Sequence, residues 1–468
     1  MQVDRNIFRA YDIRGIAMSD NPQLTEAVAE LIGKAAGSYL VRHGHKNLAI
    51  GRDGRLTSPA LQTAFIKGAL STGLNVANIG LSVSPMVYFA TCLPEFDCGV
   101  NVTASHNPKE YNGFKITGKN AHSICGDELQ IIFEMIEKSD FEIGAGQLKE
   151  VDVWPLYRDR LVKDIQIKPG LKIAADAGNG VAGKFLDDLF AAAGIERELL
   201  FTEVDGNFPN HEANPEDEEN MQDLIKLVRS SGAVLGFGFD GDGDRVGIVD
   251  EKGRFYSADL ILLQLSRDLL KRQPGAKVVF DVKCSKVIEN DVESKGGVSI
   301  RSATGHSLIE TKMRETGALL AGEISGHLFF AENYYGFDDA FLGALRVLQL
   351  VSDENKPFSE LFSDVPMVVN TPEIKIACSD NRKFELVADL TKRFQEAGYD
   401  VLTVDGAFVS VDRDTWGAIR CSNTSPNLTL RFEGLTEVSM KEVVYLFIQF
   451  LQAYPELDLA KLQAIVDN

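Results

Sequence analysis

Apolar and polar positions along the chain repeat one phrase three times. Leu48-Ala-Ile-Gly-Arg-Asp53 is an apolar run ending on a carboxylate, a helical pattern runs through Leu61–Leu70, and Gly73-Leu-Asn-Val-Ala77 returns to strand character. The same order appears at Leu171-Lys-Ile-Ala-Ala-Asp176, Phe185–Ala193 and Gly194-Ile195. It appears again at Lys277-Val-Val-Phe-Asp281, Val287–Glu293 and Gly297-Val-Ser-Ile300. Strand–helix–strand units imply parallel pairing through right-handed crossovers. Three copies predict three related α/β domains rather than one large sheet. Their strand-end aspartates are expected at the loop face where such sheets bind ligands.

The pattern changes after Pro372. Ile374-Lys-Ile-Ala reads as a strand, Asn381–Ala397 as a helix, and Val401–Val411, Gly417–Cys421 and Leu428–Phe432 as strands before a helix from Glu437. Strands that follow one another directly predict an α+β domain with an antiparallel sheet. Earlier in the chain, a polar and aromatic segment, Phe8–Gly15, precedes a helix over Leu24–Arg42. Asn214-Pro215-Glu216-Asp217 carries an N-cap residue, a proline at the first helical position and acids in the first turn, which predicts a helix running to Arg229. Boundaries fall after Gly144-Ala-Gly146 at Trp154-Pro155, near Gly253, and at Pro366–Pro372.

Composition narrows the classes. At 468 residues the chain exceeds one ordinary core, and 44% hydrophobic with 25% charged residues is a globular balance. The 48 basic against 68 acidic residues leave a formal charge of −20, which disfavours nucleic acid and anionic membranes as partners. Six cysteines without a Cys-x-x-Cys pair read as free thiols in a reducing compartment. A polar N-terminus and no apolar run of spanning length complete the expectation of a cytoplasmic protein.

Two loops carry candidate chemistry. Asn101-Val-Thr-Ala-Ser105-His-Asn-Pro108 follows a short apolar strand, and Pro108 prevents an immediate helix. Ser105 there is either an exposed nucleophile or phosphate carrier, or part of a Ser/Asn turn that satisfies its own backbone. Adjacent in sequence, Ser105 and His106 are poorly arranged for a nucleophile–base hydrogen bond. Asp240-Gly-Asp242-Gly-Asp244-Arg245 lies between two apolar runs, and its glycines let three carboxylates turn onto one hard cation, with Mg²⁺ the best match. An EF-hand fails at the sixth position, where Arg245 stands in place of glycine; a solvated acidic turn is the plainer alternative. Ala303–Ser307 and Gly322–His327 are glycine-flanked polar loops, and Arg420-Cys-Ser422-Asn423-Thr424 presents a cation, hydroxyls and an amide suited to a phosphate. Walker, Rossmann and Gly-x-Ser-x-Gly signatures are absent, which removes support for nucleotide binding and serine hydrolysis.

Phe8–Gly15, Thr103–Pro108, Asp240–Arg245, Gly322–His327 and Arg420–Pro426 stand in the order and spacing of the α-D-phosphohexomutase family, which the chain resembles over its full length. The likeness is greatest to the phosphomannomutase/phosphoglucomutase branch. Glucosamine-phosphate mutases usually carry Gln where Ile324 stands and Ser-Gly-Thr in place of Ser422-Asn423-Thr424. One departure is Thr424-Ser425-Pro426, where the family usually has Thr-Glu-Pro.

The resemblance implies three mixed α/β domains with βαβ units and a C-terminal α+β domain around a central cleft. Their bounds are 1–151 with the phosphoserine loop, 152–253 with the metal loop, 254–368 with the sugar loop and 369–468 with the phosphate loop. It implies reversible phosphoryl transfer between C1 and C6 of mannose and glucose phosphates through phosphoserine at Ser105, with glucose or mannose 1,6-bisphosphate as intermediate and activator. Ser105, Asp240, Asp242 and Asp244 would bind Mg²⁺. Arg14, Lys115, Arg245 and His306 would serve catalysis, while Tyr11, Lys283, Glu323, Ser325 and His327 would bind sugar. Arg420, Ser422, Asn423 and Thr424 would grip the other phosphate. The expected state is a monomer or dimer acting on small hexose phosphates, with neither nucleic acid nor membrane. Competing readings are a phosphoglucosamine mutase, a metal-dependent sugar phosphatase and a non-catalytic sugar-phosphate sensor.

Overall fold

The first Asp-ended strand lies inside its sheet, and the sheet order explains where its neighbours deliver their loops. The computed structural model describes residues 3–422 and 426–467. One sheet contains β1 (Ile13–Ile16), β2 (Asn47–Arg52), β3 (Asn75–Leu81), β4 (Cys98–Val102), β5 (Tyr111–Thr117) and β6 (Leu148–Glu150), in the order β1-β5-β4-β2-β3-β6. β2 runs parallel to both β3 and β4, through crossover helices α2 (Ser58–Leu70) and α3 (Ser84–Cys92), while β4–β5 and β5–β1 are antiparallel. Every residue of β4 is buried, as expected of a strand covered on both faces. Helices α1 (Glu26–Arg42) and α4 (Asp127–Lys138) close the core around Ile50, Phe65, Val100 and Phe114. Thr25 caps α1, its hydroxyl accepting from Val28 N at 3.2 Å.

A second sheet follows, holding β7 (Lys172–Asp176), β8 (Glu196–Leu200), β9 (Leu235–Phe239), β10 (Val246–Asp250) and β11 (Phe255–Tyr256) in the order β11-β10-β9-β7-β8. β7 is parallel to β8 and β9, whereas β9 and β10 are antiparallel and fully buried. The loop 240–245 is therefore a short turn between two buried strands, pinned at both ends. The expected helix at Asn214 does not form there. Pro215 packs against the β9–β10 pair, within 2.7 Å of where a side chain on Gly247 would begin, and Asp217 is extended. A 3-10 turn at Glu218–Met221 then leads into the helix Gln222–Ser231. These two sheets belong to one compact unit, Met1–Ile261 with Ser325–Leu361.

The other unit comprises Leu262–Ile324 and Phe362–Asn468. In its first part β12 (Lys277–Asp281) runs parallel to β13 (Val298–Ser302) and β14 (Leu320–Gly322). In its second part the strands Ile374–Ala377, Asp400–Leu402, Ala407–Ser410, Trp416–Cys421 and Asn427–Gly434 pair antiparallel throughout. The expected strand Val401–Val411 is two strands joined by a turn at Gly406, whose φ of +80° reverses the chain.

The three strand-end aspartates stand at the loop face, and each also closes the loop that follows it. Asp53 accepts from the backbone N–H of Arg55 at 3.1 Å, Asp176 from Gly178 at 2.8 Å and Asp281 from Lys283 at 2.6 Å. Each is the same Asx turn, donor two residues on, closing the loop after its strand. The carboxylates thereby brace the loop face.

Candidate active site

Ser105 sits where β4 hands the chain to β5, and its backbone adopts φ 51°, a left-handed conformation uncommon for a residue with a side chain. Its N–H donates to Thr103 Oγ1 at 2.8 Å and its hydroxyl, buried, donates to Asp240 Oδ2 at 2.8 Å. His106 Nδ1 lies 3.2 Å from the same hydroxyl. The expectation that adjacency would prevent this contact is overturned, because the left-handed turn at Ser105 swings the two consecutive side chains together. Burial, then Arg245 and Arg14, push the His106 ring well below the usual histidine range, so it is neutral.

The aspartate loop meets Ser105 through glycine. A side chain on Gly241 would begin 2.5 Å from the Ser105 carbonyl oxygen, and Gly243 has φ +69°. Asp240 Oδ1 accepts from the N–H groups of Asp244 at 3.0 Å and Arg245 at 3.1 Å, which curls the loop around its first carboxylate. Asp242 Oδ2 accepts from Ser84 Oγ at 2.6 Å and Lys115 Nζ at 2.8 Å, and Lys115 also donates to Asp244. Burial opposes the charge on Lys115, but Asp242 and Asp244 outweigh it and hold the ammonium well above the ordinary lysine range. Burial, with Asp244 and Asp242 beside it, pushes Asp240 well above the carboxylate range. Asp244, despite burial, is held below that range by Lys115 and His327.

Three buried carboxylates whose oxygens lie within 4.8 Å of one another can hold a metal ion. Asp242 Oδ1 and Asp244 Oδ1 are buried with no hydrogen-bond partner, and such oxygens are costly unless a cation meets them. The residues therefore fit the ion that the sequence implies.

Around this centre, Arg245 Nε donates to His327 Nε2 at 3.0 Å, and His327 Nδ1 is 2.6 Å from Asp338. Burial opposes protonation of His327 while Asp244 and Asp338 draw it up to about 9. That pull conflicts with the hydrogen bond: an Arg245 N–H aimed at Nε2 requires that nitrogen bare, so with Arg245 in place the ring is held as the neutral Nδ1–H tautomer against the pull of Asp244 and Asp338. Arg14 donates to Asn107 Oδ1 at 2.6 Å and Asp12 at 2.5 Å, which ties β1 to the Ser105 loop. Tyr11 is half-buried at the entry to β1, and Ser325 is buried in the segment that returns to this unit.

The remaining expected residues gather in the other unit. Glu323 accepts from Gly305 N at 2.6 Å, immediately before His306, whose ring is 3.4 Å from Ser307 Oγ. Asp405 accepts from Thr304 N at 3.1 Å and from Arg420 Nε at 2.7 Å. Asp281 links the Lys283 N–H with that of Ile324 at 3.2 Å, and Lys283 Nζ is 3.5 Å from Glu373. Lys383 Nζ holds the Ser422 carbonyl at 2.6 Å. Asn423, Thr424 and Ser425 lie outside the described residues.

Sequence reasoning missed Arg55, Ser84, Asp338 and Asp405. Only Arg55 had a nearby signal, standing two residues after a strand-end aspartate. Among the described residues no helix is long and apolar enough to cross a membrane, and all six cysteines are free thiols.

Four family descriptions match in sequence: phosphoglucomutase/phosphomannomutase alpha/beta/alpha domain I over residues 5–143, domain II over 155–253, domain III over 257–368 and the C-terminal domain over 373–447. A phosphomannomutase/phosphoglucomutase of Pseudomonas aeruginosa is 41% identical over 448 residues, covering 96% of each chain. A phosphoglucomutase of Neisseria gonorrhoeae is 38% identical over 459 residues, covering 97% of this chain and 98% of its own. The crystal structure of a phosphoglucomutase/phosphomannomutase family protein from Burkholderia thailandensis is 38% identical and superposes with a TM-score of 0.91, covering 97% of this chain and 99% of that one. The serine loop, the aspartate turn and the full-length similarity lead to one assignment: the chain belongs to the phosphoglucomutase/phosphomannomutase family.

Proposed function

We propose that this chain moves a phosphoryl group reversibly between C1 and C6 of hexose phosphates, with Ser105 as carrier and a 1,6-bisphosphate as intermediate. The observation that carries the reading is the convergence on Ser105 Oγ. A buried hydroxyl in a left-handed loop faces the first of three clustered carboxylates, two of whose oxygens lack partners, with Lys115 bonded to the other two carboxylates. A serine that only turned a corner would need none of this.

In the forward half-reaction the bond from phosphorus to Ser105 Oγ breaks as one forms to the free sugar hydroxyl, whose proton is released. In the second half-reaction the other phosphate returns to Ser105. Such transfer depends on in-line positioning and charge neutralisation. Asp240, Asp242 and Asp244 would hold Mg²⁺ beside Ser105, where the ion supplies positive charge to the phosphoryl oxygens when bound. Lys115, kept protonated by its two carboxylates, supplies fixed positive charge beside Ser105. Arg245 is oriented by His327, and Arg14 by Asp12 and Asn107. In this proposal the work divides among domains at 1–151, 152–253, 254–368 and 369–468. Glu323 and Ser325 take sugar hydroxyls; Tyr11, Lys283, His306 and His327 complete sugar binding and catalysis; and Arg420, Ser422, Asn423 and Thr424 take the non-reacting phosphate.

Either end of the sugar must react at Ser105, so the ring is used in two opposed orientations. Only O3 and O4 nearly interchange on that flip, and a fixed partner for O2 would help one half-reaction alone. Both mannose and glucose phosphates are therefore expected substrates. The test is a coupled assay of hexose 1-phosphate to 6-phosphate conversion with and without glucose 1,6-bisphosphate. Stimulated isomerisation without stoichiometric inorganic phosphate supports the mutase; phosphate release that ignores the activator identifies a phosphatase instead.

A further inference from the structure

We infer that Arg55 is the positioning residue that locks the Ser105 loop in its reactive conformation. The inference rests on Ser105 being the phosphate carrier. Arg55 follows β2, is 1% exposed and directs all five of its guanidinium donors to acceptors inside domain I. Nη2 donates to the carbonyls of Ser105 and Asn107, both at 2.6 Å, and Nη1 to those of Pro108 at 2.8 Å and Tyr111 at 3.1 Å. Nε donates to Asp53 at 3.1 Å, which supplies the counter-charge.

Four carbonyls spread over residues 105–111 thus converge on one planar cation. Only a fork can serve them at once; a lysine ammonium has three donors at a single point. The Ser105 carbonyl is the most consequential of the four. Holding it fixes the left-handed turn that aims the hydroxyl at Asp240 and leaves room for Gly241 alongside. With every donor satisfied within the fold, Arg55 has none left for a substrate phosphate in this arrangement, so its effect on the reaction passes through the loop. The guanidinium carbon lies over the Phe208 ring, 5.4 Å from its centroid, and Arg55, Ser105, Asn107 and Phe208 border a cavity of about 250 Å³. That cavity gives a small guanidine a route to the position the arginine vacates.

The test uses the full chain with Arg55→Lys and Arg55→Ala, beside Ser105→Ala. Kinetics under saturating activator, melting temperature and amide exchange of peptides covering residues 103–112 are measured together. Both Arg55 variants should lose about 100-fold in kcat with KM little changed. Exchange should quicken over 103–112 and not elsewhere. Methylguanidine should restore kcat in Arg55→Ala at least several-fold, and methylammonium should not. If the alanine variant does not fold, the lysine variant and its exchange pattern decide. Wild-type kcat in a folded Arg55 variant, unchanged exchange, or a KM effect alone would overturn the inference. Normal turnover by Ser105→Ala would instead remove the carrier role itself, which separates the two failures.

Discussion

Gly241→Ala isolates the contact between the aspartate loop and the serine loop. The backbone at Gly241 is not left-handed, so alanine there is free of the strain a positive φ would impose. Its methyl would sit 2.5 Å from the Ser105 carbonyl oxygen, about 0.9 Å short of ordinary van der Waals contact at 3.4 Å. That oxygen is held by Arg55 Nη2 at 2.6 Å, and Asp240 is held by two backbone N–H groups, so neither side yields freely. Overpacking of this size costs about 1–3 kcal/mol of stability. The larger consequence is kinetic, since displacing a reacting oxygen by roughly 1 Å costs about 100-fold in rate. Steady-state kinetics with a urea unfolding curve measure both terms. A variant with kcat within about threefold of the parent and an unchanged midpoint would refute the claim that these loops are in fixed, tight register.

Chelation should abolish turnover and lower the melting temperature only modestly, because the buried Asp242 and Asp244 oxygens lose their cation while the apolar cores keep the protein folded; gross unfolding on EDTA, followed by circular dichroism, would make the metal structural. Asp53→Ala leaves the fully buried Arg55 cation without its partner and should cost about 3–5 kcal/mol by denaturant titration; a loss under about 1 kcal/mol would contradict the pairing described. The ratio of kcat/KM for glucose 1-phosphate over mannose 1-phosphate should lie within about tenfold of unity, one modest hydrogen bond. A ratio beyond about 10³ would mean that O2 is read after all.

The sequence made the repeated strand–helix–strand units and the antiparallel last domain legible, because buried parallel strands are continuous apolar runs and their spacing survives in each copy. The Asp240–Arg245 turn was legible for a related reason: alternating glycine and aspartate have few other uses. The strand-end aspartates were visible as residues, but their role was not. Their partner is a backbone N–H two positions on, which every sequence possesses. Arg55 escaped because its partners are carbonyls 50 to 56 positions away, and carbonyls carry no sequence signature. Asn214 misled for the opposite reason. Its local pattern is a sound helix start, overridden when Pro215 docks against β9 and β10. The Ser105–His106 contact depended on one backbone angle that spacing does not encode.

The most direct measurement is the intact mass of the enzyme before and after a single addition of glucose 1-phosphate, without activator. The account predicts that the enzyme as purified contains a species about 80 Da heavier than the bare chain, mapped to Ser105 by peptide analysis. Turnover to glucose 6-phosphate returns the 80 Da to Ser105, and any bare chain that forms should be matched by an equal amount of released glucose 1,6-bisphosphate. Turnover at the parent rate by Ser105→Ala, or loss of the 80 Da to inorganic phosphate with no bisphosphate formed, would contradict it.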